Sequence, residues 1–293
     1  MTTTVSSLPP NIREETAYGR YVLNGFRYGF LFIVTFIMLA PVLLAFLGAI
    51  RTSSEFQARP FDIPRRGIQW HNFTEILEDS NFWLMFKNSL YITIGATVLT
   101  VLVSSLLGYI FARVEFRGRG LLFNVVTLGL LFPFVIAILP IFIQIRKLGL
   151  LNSYWGVILP LVAFSIPGST LILRGFFRAI PYELEEAAYI DGCTVFGFFY
   201  RILLPMARPA VTAIAVLQAI AAWNDYFLAL LILTDESKWT LPLGLMQFQG
   251  QYGTTNWSGI MAYVTILMIP AILFYMVTER YIVTGLTGGE LKG

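Results

Sequence analysis

Pro181-Tyr182-Glu183-Leu184-Glu185-Glu186-Ala187-Ala188-Tyr189-Ile190-Asp191-Gly192 lies within a polar segment, 174–208, that separates two long apolar runs. Its local chemistry is that of a short helix. Pro181 suits a first helical position, and Glu183, Glu185 and Glu186 place negative charge at the positive end of the helix dipole. Gly192 supplies the residue that closes such a helix in the left-handed conformation. At 3.6 residues per turn, Leu184, Ala187 and Ala188 share one face, and Tyr182, Glu185, Glu186 and Tyr189 share the opposite one. The alanine pair lets a second surface approach closely, while the acidic face offers a charge-assisted contact. Thr194 to Leu204 reads as a second short helix, stopped by Pro205. The expectation for 181–205 is a helix–turn–helix outside the bilayer, tied at both ends to membrane helices.

The flanking apolar runs belong to a chain-wide pattern. Hydrophobic residues make up 57% of the chain and charged residues 13%, about half the ~25% charge of an ordinary soluble domain. Runs of around 20 apolar residues predict an all-α polytopic membrane protein with six transmembrane helices. The expected spans are about 30–50, 88–112, 121–145, 154–173, 209–233 and 257–279. Residues 1–29 form a polar N-terminal tail, 30–280 the transmembrane domain, and 281–293 a C-terminal tail. No cleavage site precedes the first run, which reads as an uncleaved span with a tolerated Pro41.

Six spans place both termini on one side. Lys and Arg are more numerous on that side, in the tail, the Arg113–Arg119 loop, 174–208 and the C-terminus. That bias favours cytoplasmic termini, although Arg51, Arg59, Arg65 and Arg66 pull the other way.

Several chemistries are excluded. The net charge of +3 is small and scattered, so nucleic acid is not a partner. A single cysteine, Cys193, allows no disulfide within the chain and no cysteine metal cluster, and the one histidine, His71, sits in a polar loop where a solvated side chain is expected. No lysine follows a glycine, so the phosphate loop of an ATPase is absent. No nucleophile–base set can be assembled around Cys193 or His71. The Asn72-Phe73-Thr74 sequon is a chance match. The chain reads as having no catalytic centre, and it needs a partner to supply energy.

Polar groups within the spans are few and therefore informative. Trp223-Asn224-Asp225-Tyr226 falls in the fifth span, with Asp225 about 24 Å along a helix begun at Pro209. It reads either as a lining of a transport path, with an aromatic platform for a sugar, or as an interhelical hydrogen bond near the outer interface. Gln144, Ser165 and Gln218 read as packing contacts between helices. Pro133, Pro140, Pro160 and Pro167, with Gly129, Gly149, Gly156 and Gly168, interrupt the third and fourth spans. They read either as ordinary kinks or as moving parts.

Glu186-Ala187-Ala188, three residues, Gly192, nine residues, then Ile202-x-Leu204-Pro205 resembles the cytoplasmic signature of ABC importer permeases, with every marked position matched. The frame from Phe176 to Gly192 is similar to the carbohydrate branch, as is the Trp223–Tyr226 run. Leu148-Gly149-Leu150-Leu151-Asn152 and the tail from Arg280 to Gly293 resemble the small permease subunit of maltose-type importers. The resemblance implies that 181–205 is a coupling segment seated in a separate ATPase, with Glu185, Glu186, Ala187, Ala188, Asp191, Gly192, Ile202, Leu204 and Pro205 as its residues. It further implies a bacterial inner-membrane location, a second permease of a different sequence, two ATPase subunits that hold ATP and magnesium, an extracytoplasmic solute-binding protein, and no cofactor in this chain. The implied cargo is a sugar, oligosaccharide or polyol, a non-sugar solute being the alternative. Trp223, Asn224, Asp225 and Tyr226 are the candidate substrate path.

Overall fold

In a bilayer an apolar run has no water to satisfy its backbone, so it must pair its N–H and C=O groups within itself as a helix. The computed structural model describes residues 10–248 and 255–287, and helices dominate throughout them. In order they are α1 (Pro10–Ala49), α2 (Ser53–Ala58), α3 (His71–Glu78), α4 (Ser80–Arg113), α5 (Arg119–Leu128), α6 (Phe134–Lys147), α7 (Tyr154–Ala179), α8 (Tyr182–Ile190), α9 (Val195–Phe198), α10 (Leu204–Met206), α11 (Arg208–Trp223), α12 (Phe227–Ile232), α13 (Leu241–Gly244) and α14 (Trp257–Thr287). Among the described residues, four stretches are long and apolar enough to cross a membrane: Tyr21–Ala49, Ser80–Arg113, Tyr154–Ala179 and Trp257–Met276. Two further pairs qualify only if each bent pair is one span. Arg119–Leu131 and Phe134–Lys147 meet at 104°, and Val195–Met206 and Arg208–Trp223 at 77°.

The differences from the expected spans have local causes. α1 is helical from Pro10, inside the stretch expected as a tail, and α14 runs on to Thr287, past the expected start of the other tail at 281. Residues 1–9 and 288–293 lie outside the described residues. The expected span 121–145 is broken at Pro133, one of the prolines that interrupt it. Proline has no N–H and forces its predecessor out of the helical region, and Phe132 accordingly has φ −84° and ψ 115°. The expected span 209–233 is not one helix either, because α11 ends at Trp223 and α12 starts anew at Phe227. Pro205 lies in the last turn of its helix, which ends one residue later at Met206 before the chain bends into α11. A π turn over Phe199–Leu203, a wider turn of the kind found where the regular ladder is interrupted, comes directly before that last turn.

The chain divides into two compact units. The first comprises Met1–Asn72 and Trp257–Thr265. Its segment after α1 is organised by Arg51, a fully buried residue whose guanidinium donates to the carbonyls of Leu47 (2.9 Å), Arg59 (2.7 Å) and Pro60 (2.6 Å). The Asn72 amide donates to Ala49 O (2.7 Å) and Arg51 O (2.9 Å). The bonds to Leu47 O and Ala49 O satisfy carbonyls that the end of α1 leaves unpaired. His71 is exposed at the start of α3.

The second unit comprises Phe73–Asn256 and Ile266–Gly293. Its centre is the packing of α4 on α7, with α11 alongside. Between lipid-embedded helices there is no hydrophobic driving force, so close van der Waals packing of small residues must hold them. Gly95 and Gly108 of α4 meet that need. A Cβ at Gly95 would lie 2.9 Å from Ile158 Cδ1, and one at Gly108 2.9 Å from Leu173 Cβ. Two buried clusters result. One gathers Ile92, Ala96, Val157, Ile158, Leu161, Ala222, Leu228 and Ile232. The other gathers Tyr109, Ala112, Leu173, Phe177, Ala188, Phe198, Leu203 and Ala210, and the polar segment is seated on it.

Candidate functional site

The segment 181–206 folds as two short helices joined by a tight turn. Pro181 sits just before α8 with φ −56° and ψ 141°, one position earlier than expected. Gly192 closes α8 at φ +81°. Its N–H donates to Tyr189 O (3.0 Å), and the Cys193 N–H donates to Ala188 O (2.9 Å), the paired bonds of a left-handed helix end. Asp191 caps the last turn through its backbone N–H to Ala187 O. Thr194 then starts α9, its hydroxyl accepting from Gly197 N–H at 3.1 Å.

The faces of α8 differ from the sequence expectation. Glu185 and Ala188 are buried, whereas Glu186 and Ala187 are exposed. Glu185 is therefore turned into the protein and does not share an outer acidic face with Glu186. The cause is Arg113, the last residue of α4, whose side chain is fully buried. Arg113 Nε and Nη2 donate to Phe177 O at 3.1 and 2.6 Å, and Nη2 also donates to Ile180 O. Both carbonyls belong to the end of α7, where a helix leaves acceptors without partners. Arg113 Nη1 lies 3.5 Å from Glu185 Oε2, and the guanidinium stands 4.3 Å from the centre of the Tyr182 ring. The Tyr182 hydroxyl donates to Ala112 O at 3.2 Å. The Tyr189 hydroxyl donates to Glu185 Oε1 at 2.8 Å. Burial first, and then that hydrogen bond, push the Tyr189 phenol well above its ordinary range, so it remains a neutral donor at physiological pH.

Ile202 and Leu204 are partly buried and pack on the same cluster, so they support the segment from beneath. Pro205 is likewise partly buried. Exposed in the same segment as Glu186 and Ala187 are Ile190 (86%), Phe196 (78%) and Tyr200 (74%). Sequence reasoning missed these three. An apolar residue left in a polar loop was the available signal.

The second candidate region is the break between α11 and α12. Asn224 ends α11, its backbone N–H and side-chain amide both donating to Ile220 O at 3.2 and 2.8 Å. Asp225 Oδ2 accepts from Ala229 N–H at 3.1 Å and so caps α12. Trp223 is buried, with its ring edge-on to Phe86 at 5.8 Å and its indole N–H directed at Leu267 O. Tyr226 is half-buried against the core. Only Asn224 of the four is exposed. Trp223 also lines an apolar groove of about 410 Å³ between α4, α11 and α14, where the hydroxyls of Thr93 and Thr97 have no protein partner. Gln218, from the middle of α11, accepts a hydrogen bond from Ser165 of α7, which is the helix-to-helix contact expected of both.

With this architecture in place, the comparisons with known proteins are decisive. The family model described as "binding-protein-dependent transport system inner membrane component" matches residues 104–288, more than half of the chain. The chain belongs to that family. This permease is 40% identical to the trehalose/maltose transport system permease protein MalG of Thermococcus litoralis, over 76% of this chain and 81% of that protein. It is 35% identical to the arabinooligosaccharides transport system permease protein AraQ of Halalkalibacterium halodurans, over 90% of this chain and 95% of that protein. In fold it is similar to a chain from the crystal structure of a bacterial ABC transporter that imports the acidic polysaccharide alginate. That similarity has a TM-score of 0.77 at 24% identity and covers 90% of this chain and 97% of that one. As a member of this family the permease is the membrane component of an ABC importer and a transport subunit, with ATP hydrolysis carried out by separate subunits.

Proposed function

We propose that this permease carries a sugar, oligosaccharide or polyol across a bacterial inner membrane, with 181–205 as the cytoplasmic segment that couples it to an ATPase. The observation that carries the coupling role is the exposure of Ile190, Phe196 and Tyr200, together with Glu186 and Ala187, within this one polar segment. Large apolar side chains left exposed on a polar loop support a docking surface for another protein. Ala187 permits close approach there, and Glu186 offers charge. Asp191 and Gly192 set the turn, while Glu185, Ala188, Ile202, Leu204 and Pro205 hold the segment from within. The relatives named for maltose, trehalose and arabinooligosaccharides support the cargo class.

On this reading the bent pair Arg119–Leu131 and Phe134–Lys147 is one span and the fifth span begins with α11, beyond the cytoplasmic 195–206, giving six with both termini cytoplasmic. The partners are a second permease of different sequence, two ATPase subunits that bind ATP and magnesium, a solute-binding protein on the outer side, and the surrounding lipid. This chain holds no cofactor of its own. ATP-driven closure of the ATPases moves α8, and the transmembrane halves rotate so that the cavity between them alternates in its access. The break at 223–226 lines the path. Asn224 is the group that reaches solute, the Trp223 ring and Tyr226 form a wall, and Asp225 keeps the break in place.

The test is coexpression with the partner subunits, followed by ATPase copurification and uptake of a labelled solute panel. Oligosaccharides should stimulate hydrolysis and be taken up, and amino acids should not. Ala187→Leu adds bulk where close approach is needed, at a typical cost of about 1–3 kcal/mol. It should reduce ATPase association and uptake while permease abundance stays normal. Normal association and uptake in that variant would refute the coupling role.

A further inference from the structure

We propose that Arg113 and Glu185 form a positioning pair that makes α8 and the end of α4 move as one body, so that a force on α8 is delivered to α4 directly. This rests on the reading of 181–205 as the coupling segment. By chain connection alone α8 would pass its motion to α7, through Ile180 and Pro181, and to α11. The side chains add a third route. One buried guanidinium joins the ends of three helices: α4, which carries it, α7, whose Phe177 and Ile180 carbonyls it binds, and α8, whose Glu185 it faces and whose Tyr182 ring it stacks on. The Tyr182 hydroxyl repeats the α8–α4 link at Ala112 O. Tyr189, through Glu185 Oε1, holds the carboxylate in place.

The two sides of this junction are not equally tight. Toward α7 the guanidinium is held by hydrogen bonds. Toward α8, Arg113 Nη1 and Glu185 Oε2 are both buried, neither has a hydrogen-bond partner, and they stand 3.5 Å apart. A charge-assisted bond between such groups closes to about 2.7–2.9 Å. Pressure on α8 toward α4 therefore gains a bond, whereas withdrawal of α8 leaves two buried charges uncompensated, the costly outcome for such a pair. The junction yields slightly to a push and resists a pull, so α8 cannot be drawn away unless α4 follows. α4 is about 50 Å long by its rise per residue. Its middle carries Thr93 and Thr97 on the wall of the groove that Trp223 also lines. A single helix thus reaches from the coupling segment to the level of the 223–226 break.

The experiment uses the assembled importer, with Arg113→Lys and Glu185→Gln as variants. Arg113→Lys keeps the charge but loses the planar fork. Glu185→Gln keeps the shape and the acceptor for Tyr189 but loses the charge. For Glu185→Gln the ATPase subunits should still copurify at wild-type amount. Solute transported per ATP hydrolysed should fall at least 5-fold, and labelling of Cys193, just past α8, by a thiol reagent should quicken at least 3-fold. Arg113→Lys should show the same uncoupling where it assembles. Glu185→Gln keeps the test open where it does not. Loss of ATPase copurification in Glu185→Gln would place that carboxylate in the docking surface and overturn the proposal. Reduced abundance with an unchanged transport-to-hydrolysis ratio per complex would show a merely structural pair and also overturn it. Failure of the coupling reading itself registers separately, as normal ATPase association and uptake in Ala187→Leu.

Discussion

Gly192 offers a test in which backbone strain and steric bulk give opposite rankings. Its φ of +81° lies in the left-handed region, and a Cβ built there meets no atom within 4 Å. Any penalty on substitution is therefore a backbone penalty, not a clash. For an ordinary side chain the left-handed conformation costs about 1–2 kcal/mol, while asparagine visits it readily. A loss of that size shifts the balance between closed and opened turn about 5- to 30-fold. The opened turn gives up the bonds from Gly192 N–H to Tyr189 O and from Cys193 N–H to Ala188 O, and α8 loses its fixed direction. The series Gly192→Asn, Gly192→Ala and Gly192→Val should rank in that order, with asparagine nearest to wild type although it is larger than alanine. Permease abundance in the membrane, ATPase copurification and solute uptake are the measurements. Abundance should hold across the series, while association and uptake fall in rank. Asparagine scoring worse than alanine would mean that bulk matters at this site. Wild-type uptake in Gly192→Val would refute the link between the turn and coupling.

Two glycines of α7 should behave oppositely. A Cβ at Gly156 would lie 2.4 Å from Leu150 O and 2.8 Å from Ile232 Cγ2, so Gly156→Ala should lose about 1–3 kcal/mol in detergent melting. Gly175 meets nothing within 4 Å, and Gly175→Ala should gain about 0.5–1 kcal/mol, so equal melting of the two would contradict the packing described. Asp225→Ala removes the cap on Ala229 N–H and should cost about 0.5–2 kcal/mol, whereas Asp225→Asn should melt and transport almost as wild type. Reduced uptake in a normally stable Asp225→Asn would instead put the carboxylate in contact with solute. Cys193, the only thiol in the chain, should react with a membrane-impermeant reagent from the cytoplasmic side, and labelling in intact spheroplasts would overturn the proposed orientation.

What the sequence determined by itself was whatever depends on neighbouring residues. Apolar runs of bilayer length dictate helices because lipid leaves the backbone no other partner. Gly192 was legible as a left-handed helix end, and Pro133 as an interruption, because both effects act within one turn of the chain. The motif from Glu186 to Pro205 was legible as spacing alone. Tertiary structure decided the rest. A helical wheel treats Glu185 and Glu186 as neighbours on one polar face, yet Glu185 turns inward because a buried Arg113, distant in sequence, needs an anion beside it. Thr194 to Leu204 reads locally as one regular helix, yet a π turn widens it over Phe199–Leu203 before it ends at Met206. Asp225 looks like a carboxylate stranded within a span, whereas in the fold it caps a new helix. Ile190, Phe196 and Tyr200 carry the hydropathy of core residues, and only the packed structure leaves them outside. Local conformational preference is written in the chain, but which face of an element is buried depends on what packs against it.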